Sequence, residues 1–436
     1  MNLFDSYKTK NHIRLIELFA GVGSQAMALR DIGADFEHYR VVEFDKHVVK
    51  SYNTIHGTNF EPTDIRNVKG EDLGIVDTQN FTYLLTYSFP CQDLSLAGKQ
   101  RGMTKGSGTR SGLLWEVERL LNETENLPQV LLMENVSQVH GTKNIDDFNL
   151  WIDFLKSKGY SNFWQDLNAK DYGVAQNRKR CFMVSILGNE VYEFPKPVKL
   201  EKCIKDYLED EVDETYYIKS EKAYKLILDL QERGILEEKK INKIEQVSNE
   251  GSQCGTVVSD DGLFPTISTG THGYANPHIR TKSTKPECIC STLTTVQKDN
   301  CLENKEIIIY DDYNSYIPKN QDCIGTITTN IGSQAMRNGI KIIESQTEET
   351  KQGYIECKAG GDVSPTFISS NLGVCKVERH YRIRKLTPKE CWRLMGFSDE
   401  DFEKVAKVNS NPQLYKQAGN SIVKDVLMAI FRQMID

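Results

Sequence analysis

The chain has 436 residues, 39% of them hydrophobic, a formal charge of −7 and an isoelectric point near 5.8. That length supports a substantial core and two domains of ordinary size, and the acidic balance excludes attraction to nucleic acid over the whole surface while leaving room for a local basic cleft. No apolar run reaches the length of a membrane span. Residues 1–15 mix charged and polar groups where a secretory leader would be apolar, and the eleven cysteines form no CxxC pair, which fits a cytoplasmic, reducing setting better than a disulfide framework.

From residue 14 to about 188, short apolar runs alternate with amphipathic stretches. Strands are predicted at 15–19, 39–43, 83–87, 130–133 and 181–187, and helices at 24–32, 46–56, 113–123 and 145–158. Parallel strands joined by crossover helices are the economical solution, giving a doubly wound, Rossmann-like α/β domain. Pro195 and Pro197 break the pattern and mark a boundary. Beyond them, 220–246 reads as a charged helix or helix pair. Segments beginning at Thr266, Thr292, Thr326 and Thr366 then repeat a loose threonine-rich pattern at irregular spacing. These are either ordinary hairpin strands, where threonine is favourable, or hairpins that present hydroxyls to DNA. Residues 384–397 and 417–434 read as helical segments returning to the first domain. Cys288 and Cys290, with His272 and His278 upstream, match no standard zinc spacing, so no metal is expected.

The first strand runs into Phe19-Ala20-Gly21-Val22-Gly23-Ser24, a glycine turn opening a helix, and Glu43 closes the next strand about 20 residues on. Such a turn with an acid for ribose hydroxyls specifies an adenosine-type ligand, nicotinamide cofactor or S-adenosylmethionine alike. Asp64, followed by Ile65, is either an adenine partner or a turn-capping aspartate.

The run 82–89 throws Cys91 off a buried strand onto a turn fixed by Pro90, at the carboxyl sheet edge where ligands bind in open α/β sheets. The loop after it carries glycines at 98, 102, 106, 108 and 112, as a closing lid would. Glu134 ends the strand beginning at Val130 and brings a carboxylate to the same edge, where burial would let it hold a proton. Arg178 and Arg180 precede the last strand, in a basic run that is otherwise an ordinary solvated loop.

Phe-Ala-Gly-Val-Gly (19–23), Pro-Cys-Gln (90–92), Glu-Asn-Val (134–136), Gln-x-Arg-x-Arg (176–180), the segment 384–397 and Gln-Ala-Gly-Asn-Ser (417–421) occur in fixed order. Together they closely resemble the DNA (cytosine-5)-methyltransferase family of bacteria and their phages, over the first 190 residues and the last 60 or so. The resemblance implies a catalytic and cofactor domain over 1–192 completed by 401–436, and a smaller β-rich target-recognition domain over 193–400, variable between 197 and 377. It implies S-adenosylmethionine held by Phe19, Ala20, Gly21, Gly23, Ser24, Glu43, Phe44, Asp64, Ile65, Pro90, Asn420 and Ser421. It implies that Cys91 adds to C6 of a flipped cytosine, Glu134 protonates N3, and Arg180 with Arg178 holds the base oxygen. Ser95 and Arg101 in the loop, with Thr266 and Thr366, are the candidate contacts to double-stranded DNA. A monomer is expected, alongside a restriction endonuclease sharing its site or alone as an orphan or phage enzyme. An RNA cytosine-5 methyltransferase and a silent DNA-binding protein are the competing readings. An NAD-dependent oxidoreductase would leave Pro-Cys-Gln and Glu-Asn-Val unexplained.

Overall fold

The computed structural model describes residues 6–9, 11–94, 101–219, 221–233, 243–246, 256–259, 278–280, 307–311, 340–350 and 376–435. Ser95, Thr266, Thr292, Thr326, Thr366, His272, Cys288 and Cys290 lie outside them.

The chain begins with β1 (His12–Leu18), α1 (Ser24–Asp31), β2 (Phe36–Val42), α2 (Lys46–His56), β3 (Phe81–Tyr87), α3 (Leu114–Glu123), β4 (Val130–Val136), α4 (Ile145–Ser157), β5 (Tyr160–Asn168) and β6 (Lys179–Leu187). Six strands form one sheet in the order β2-β1-β3-β4-β6-β5. β1 pairs in parallel with both β2 and β3, and β3 in parallel with β4. The chain therefore leaves β1 to one side and returns to its other side, a topological switch point whose carboxyl edge is the natural ligand crevice. β3 and β4 are buried almost throughout, as their unbroken apolar runs require when helices cover both sheet faces. α3 buries Leu114, Val117, Leu120 and Leu121, and α4 buries Phe148, Trp151 and Leu155. Each large apolar side chain so buried contributes about 1.5–3 kcal/mol. The indole N–H of Trp151 donates to the Tyr87 hydroxyl at 3.0 Å, so its one polar atom is paired inside the core.

Two features depart from the all-parallel expectation. β6 runs antiparallel to β4, and β5, absent from the predicted strands, pairs antiparallel with β6 as the sheet edge. β5 reads Tyr-Ser-Asn-Phe-Trp-Gln-Asp-Leu-Asn with a mixed burial pattern, having only one strand to pair with, so it carries no clean apolar signal.

Two compact units account for the chain: Met1–Tyr216 with Ile309–Lys341 and Lys385–Asp436, and Tyr217–Ile308 with Ile342–Arg384. α5 (Glu221–Glu232) opens the second unit, and β7 (Lys243–Gln246), β8 (Thr256–Ser259) and β9 (His278–Arg280) form a three-stranded sheet there. Of the charged helix or helix pair predicted over 220–246, the described residues hold one helix, α5, and the strand β7 in place of a second helix. Strands β10 (Ile307–Asp311), β11 (Ile340–Thr350) and β12 (Lys376–Lys385) follow. The stretch 384–397 begins in β12, and its only helix is α6 (Pro388–Arg393), which starts at a Thr387–Glu390 capping box with proline in the first turn. α7 (Asp399–Ala406), α8 (Asn411–Asn420) and α9 (Lys424–Arg432) complete the first unit, with α9 packed on α1.

Candidate active site

The glycine turn leaves β1 at the switch point. Phe19, Gly21 and Gly23 all have positive φ, at 58°, 58° and 82°. A Cβ on Gly23 would stand 2.3 Å from the His56 ring nitrogen and 2.7 Å from the Tyr52 ring, so glycine is required there by close packing. A Cβ on Gly21 would meet nothing within 4 Å, which leaves an open cradle in front of that backbone. Ala20 and Ser24 are buried beside it. Glu43 accepts the Gly21 N–H at 3.2 Å and the Asp45 N–H at 3.0 Å. Burial raises its pKa, partly countered by those bonds. Phe44 follows with its ring 73% exposed, an apolar surface at the same edge.

Asp64 caps a short 3-10 turn, accepting the Arg66 N–H at 3.0 Å, and its carboxylate is bridged by the Arg66 guanidinium at 2.5 Å. Both readings of this aspartate therefore remain compatible with its position, and Ile65 behind it is buried.

β3 delivers Cys91 one strand away from the glycine turn. Its loop is fixed from two sides. The Asn135 amide donates to the Phe89 carbonyl at 2.9 Å, and the Ser111 hydroxyl donates to the Pro90 carbonyl at 2.6 Å. Glu134 is 8% exposed at the end of β4. It faces Phe182 across the β4–β6 ladder, so Arg180, two residues earlier on β6, shares its sheet face, and the Arg180 Nε lies 3.4 Å from the carboxylate.

Electrostatically, burial raises the Cys91 thiol and the Glu134 charge raises it further, while Arg180 and Arg178 pull it down. Burial likewise raises Glu134, more than the two arginines lower it. The arrangement combines a partly accessible thiol, a carboxyl that holds its proton unusually well and a guanidinium beside that carboxyl whose charge acts on both. It can present a nucleophile and a proton donor to one planar ring.

Arg178 is turned elsewhere. It donates to the carbonyls of Gly419 at 3.1 Å and Ser421 at 2.8 Å, and Gln176 donates to that of Leu394 at 2.7 Å. The segment leading into β6 is thereby stapled to the segment carrying Asn420 and the buried Ser421. Burial, with the neighbouring Arg180 charge, lowers the Arg178 pKa.

Arg101 is held by Asp93 at 2.8 Å. Asp93, only 2% exposed, also accepts the Arg110 N–H at 2.9 Å. Sequence reading gave no role to this aspartate, to Ser111 or to Asn135 of the Glu-Asn-Val motif. Their partners lie 8 to 46 residues away, with no local signature.

The family model of C-5 cytosine-specific DNA methylases matches residues 13–436. The chain belongs to that family. This cytosine-5 DNA methyltransferase is 27% identical over 470 residues to the type II methyltransferase M2.ScrFI of Lactococcus lactis subsp. cremoris, covering 97% of this chain and 99% of that one. It is also 27% identical over 492 residues to the orphan methyltransferase M.SPBetaI of Bacillus phage SPbeta, covering 97% of each. Among solved structures, the Entamoeba histolytica methyltransferase EhMeth shares the fold with a TM-score of 0.56 at 13% identity, over 97% of this methyltransferase and 98% of that chain. Among its described residues no helix is long and apolar enough to cross a membrane.

Proposed function

We propose that this methyltransferase modifies C5 of a cytosine flipped out of a specific duplex DNA sequence, with Cys91 as nucleophile. The observation that carries the reading is the convergence of Cys91, Glu134 and Arg180 at the carboxyl edge of β3 and β4, beside the glycine turn. Cytosine C5 is a poor nucleophile until a thiolate adds to C6 and pushes electrons toward C5. The Cys91 thiolate forms that bond, and the Glu134 proton at N3 neutralises the charge arriving in the ring. Arg180 orients the Glu134 carboxylate and the base oxygen through charge-assisted hydrogen bonds. Once C5 carries the methyl group, loss of its proton to a base lets the Cys91–C6 bond break, which restores the aromatic ring and returns the thiolate. Neither carbon is reachable within stacked bases, hence the flipping.

The open cradle at Gly21, the ribose-suited carboxylate of Glu43, the exposed Phe44 ring and buried Ile65 fit S-adenosylmethionine. Phe19, Ala20, Gly23, Ser24, Asp64, Pro90, Asn420 and Ser421 complete the set proposed to hold it. When bound, it supplies an electrophilic methyl group. Ser95, Arg101, Thr266 and Thr366 are proposed DNA contacts, within a recognition region between about 197 and 377. The chain is proposed to act as a monomer in a bacterial or phage-infected cytoplasm, with or without a restriction endonuclease of the same site.

The test is methylation-sensitive sequencing of a methylation-free host that expresses the chain or Cys91→Ser. A sequence motif methylated only with Cys91 present is expected. Soluble protein that binds S-adenosylmethionine yet leaves the genome unmethylated, while methylating tRNA, would overturn the DNA reading.

A further inference from the structure

Behind the candidate catalytic strands lies a group of side chains that the methylation reading does not use. Cys181 on β6 pairs directly with Asp166 on β5 and with Asn135 on β4, so Cys181 and Asp166 share the sheet face opposite Glu134 and Arg180. The turn after β4 brings His140 over the same face. Its ring nitrogen lies 3.0 Å from Asp166, and the His140 nitrogen, an Asp166 oxygen and the Cys181 sulfur all lie within 4.8 Å of one another.

We propose that His140, Asp166 and Cys181 bind one thiophilic divalent cation of the zinc class. The donor set decides the class. One imidazole, one carboxylate and one thiolate suit zinc or cobalt, whereas magnesium and calcium take oxygen ligands. A zinc ion stands about 2.0–2.3 Å from each such donor, so the three groups need close only modestly around it. Cys181 also packs in the apolar core of the sheet, so its sulfur is held in place beside the His–Asp pair.

The surroundings favour the site as well. The Asp166 oxygen not facing His140 is held by Lys179 at 3.1 Å, which orients the carboxylate as outer-sphere partners of metal ligands do. The His140 ring also lies 4.8 Å from that of Trp164, tilted by 36°. The His140 and Asp166 side chains are 22% and 16% exposed, which gives an ion a path from solvent to the buried Cys181 sulfur. Binding replaces the Cys181 S–H bond with an S–metal bond and releases that proton to solvent. An ion there ties β5, β6 and the turn after β4 together beside Glu134.

The experiment uses the full chain, stripped with chelator and titrated with Co²⁺, following thiolate-to-cobalt charge-transfer absorption, then displacement by Zn²⁺. One equivalent is expected, with a rise in melting temperature. Affinity should fall by about tenfold or more in His140→Gln and Cys181→Ala, with both variants melting cooperatively in chelator. It should be unchanged when Cys288 and Cys290 are both replaced by serine. A charge-transfer band that survives His140→Gln and Cys181→Ala, or that follows Cys288 and Cys290 instead, would overturn the proposal, as would no band at all.

Discussion

At the scale of single residues, the opposing charges around Cys91 offer a test that separates electrostatics from substrate binding. Its thiol is raised, so its thiolate fraction, and with it alkylation by iodoacetamide, should climb as pH rises from neutral into the alkaline range. Glu134→Gln removes a charge that raises the thiol, so alkylation at pH 8 should become several-fold faster. Arg180→Met removes a charge that lowers it, so alkylation should slow. Both should cut methylation by about 10²-fold or more. Opposite shifts in alkylation with a shared loss of methylation would fit the proposed roles; identical alkylation in all three proteins would sink them. The two glycines of the turn divide similarly. Gly23→Ala forces a Cβ into the His56 and Tyr52 rings and should lower stability by about 1–3 kcal/mol. Gly21→Ala meets open space, carries only the strain of its φ and should cost about 1 kcal/mol, yet it should weaken S-adenosylmethionine binding by filling the cradle. Calorimetric melting alongside cofactor titration would read both, and equal effects on binding would argue against a cofactor at Gly21.

At the scale of elements, the catalytic sheet and the C-terminal helices are joined by the segment that enters β6. Arg178 is 4% exposed and spends hydrogen bonds on the Gly419 and Ser421 carbonyls. Arg178→Met should leave those acceptors without their partner, costing about 2–4 kcal/mol, and hydrogen exchange over 417–423 should quicken. Arg180→Met should leave that exchange unchanged. If Arg178→Met does not alter it either, the staple has no mechanical role. This distinction was not legible in the sequence, where Gln-x-Arg-x-Arg reads as one basic run. Strand alternation puts Arg180 on the Glu134 face, but the chain has not yet entered the ladder at Arg178, so periodicity says nothing about its direction. What was legible follows from strong local signals: β1, β3 and β4 are apolar runs, and the glycine turn and Cys91 stand at their ends. β5 was missed because an edge strand needs no apolar run, and the antiparallel turn of β6 because periodicity carries no direction. Asp93 and Asn135 act across sequence distances that no single-chain pattern encodes.

At the scale of the molecule, the first compact unit is closed by its own chain ends. The Thr9 N–H donates to the Met434 carbonyl at 2.8 Å, and α9 lies against α1. Arg30 on α1 makes a two-pronged pair with Asp401 on α7, at 3.1 and 2.8 Å, and the Ser398 hydroxyl donates to the same carboxylate at 2.9 Å. Burial would raise the Asp401 pKa, but Arg30 and Ser398 more than reverse this and hold it below the usual carboxylate value. A depressed folded pKa means that the pair's stabilisation is present above the unfolded value of about 3.9 and is lost as pH falls through the folded value. Arg30 is 40% exposed, and solvent screens its half of the interaction, so Asp401→Asn should cost about 1–2 kcal/mol near pH 7. The wild-type advantage should shrink as the medium is taken toward pH 3, because acid removes from the wild type the charge that the substitution has already removed. Urea denaturation of both proteins at pH 7, 5 and 3 would show it. A difference that stayed constant across that range would mean that Asp401 acts through packing, and that the closure of the unit rests on apolar contact between α1 and α9 instead of on charge.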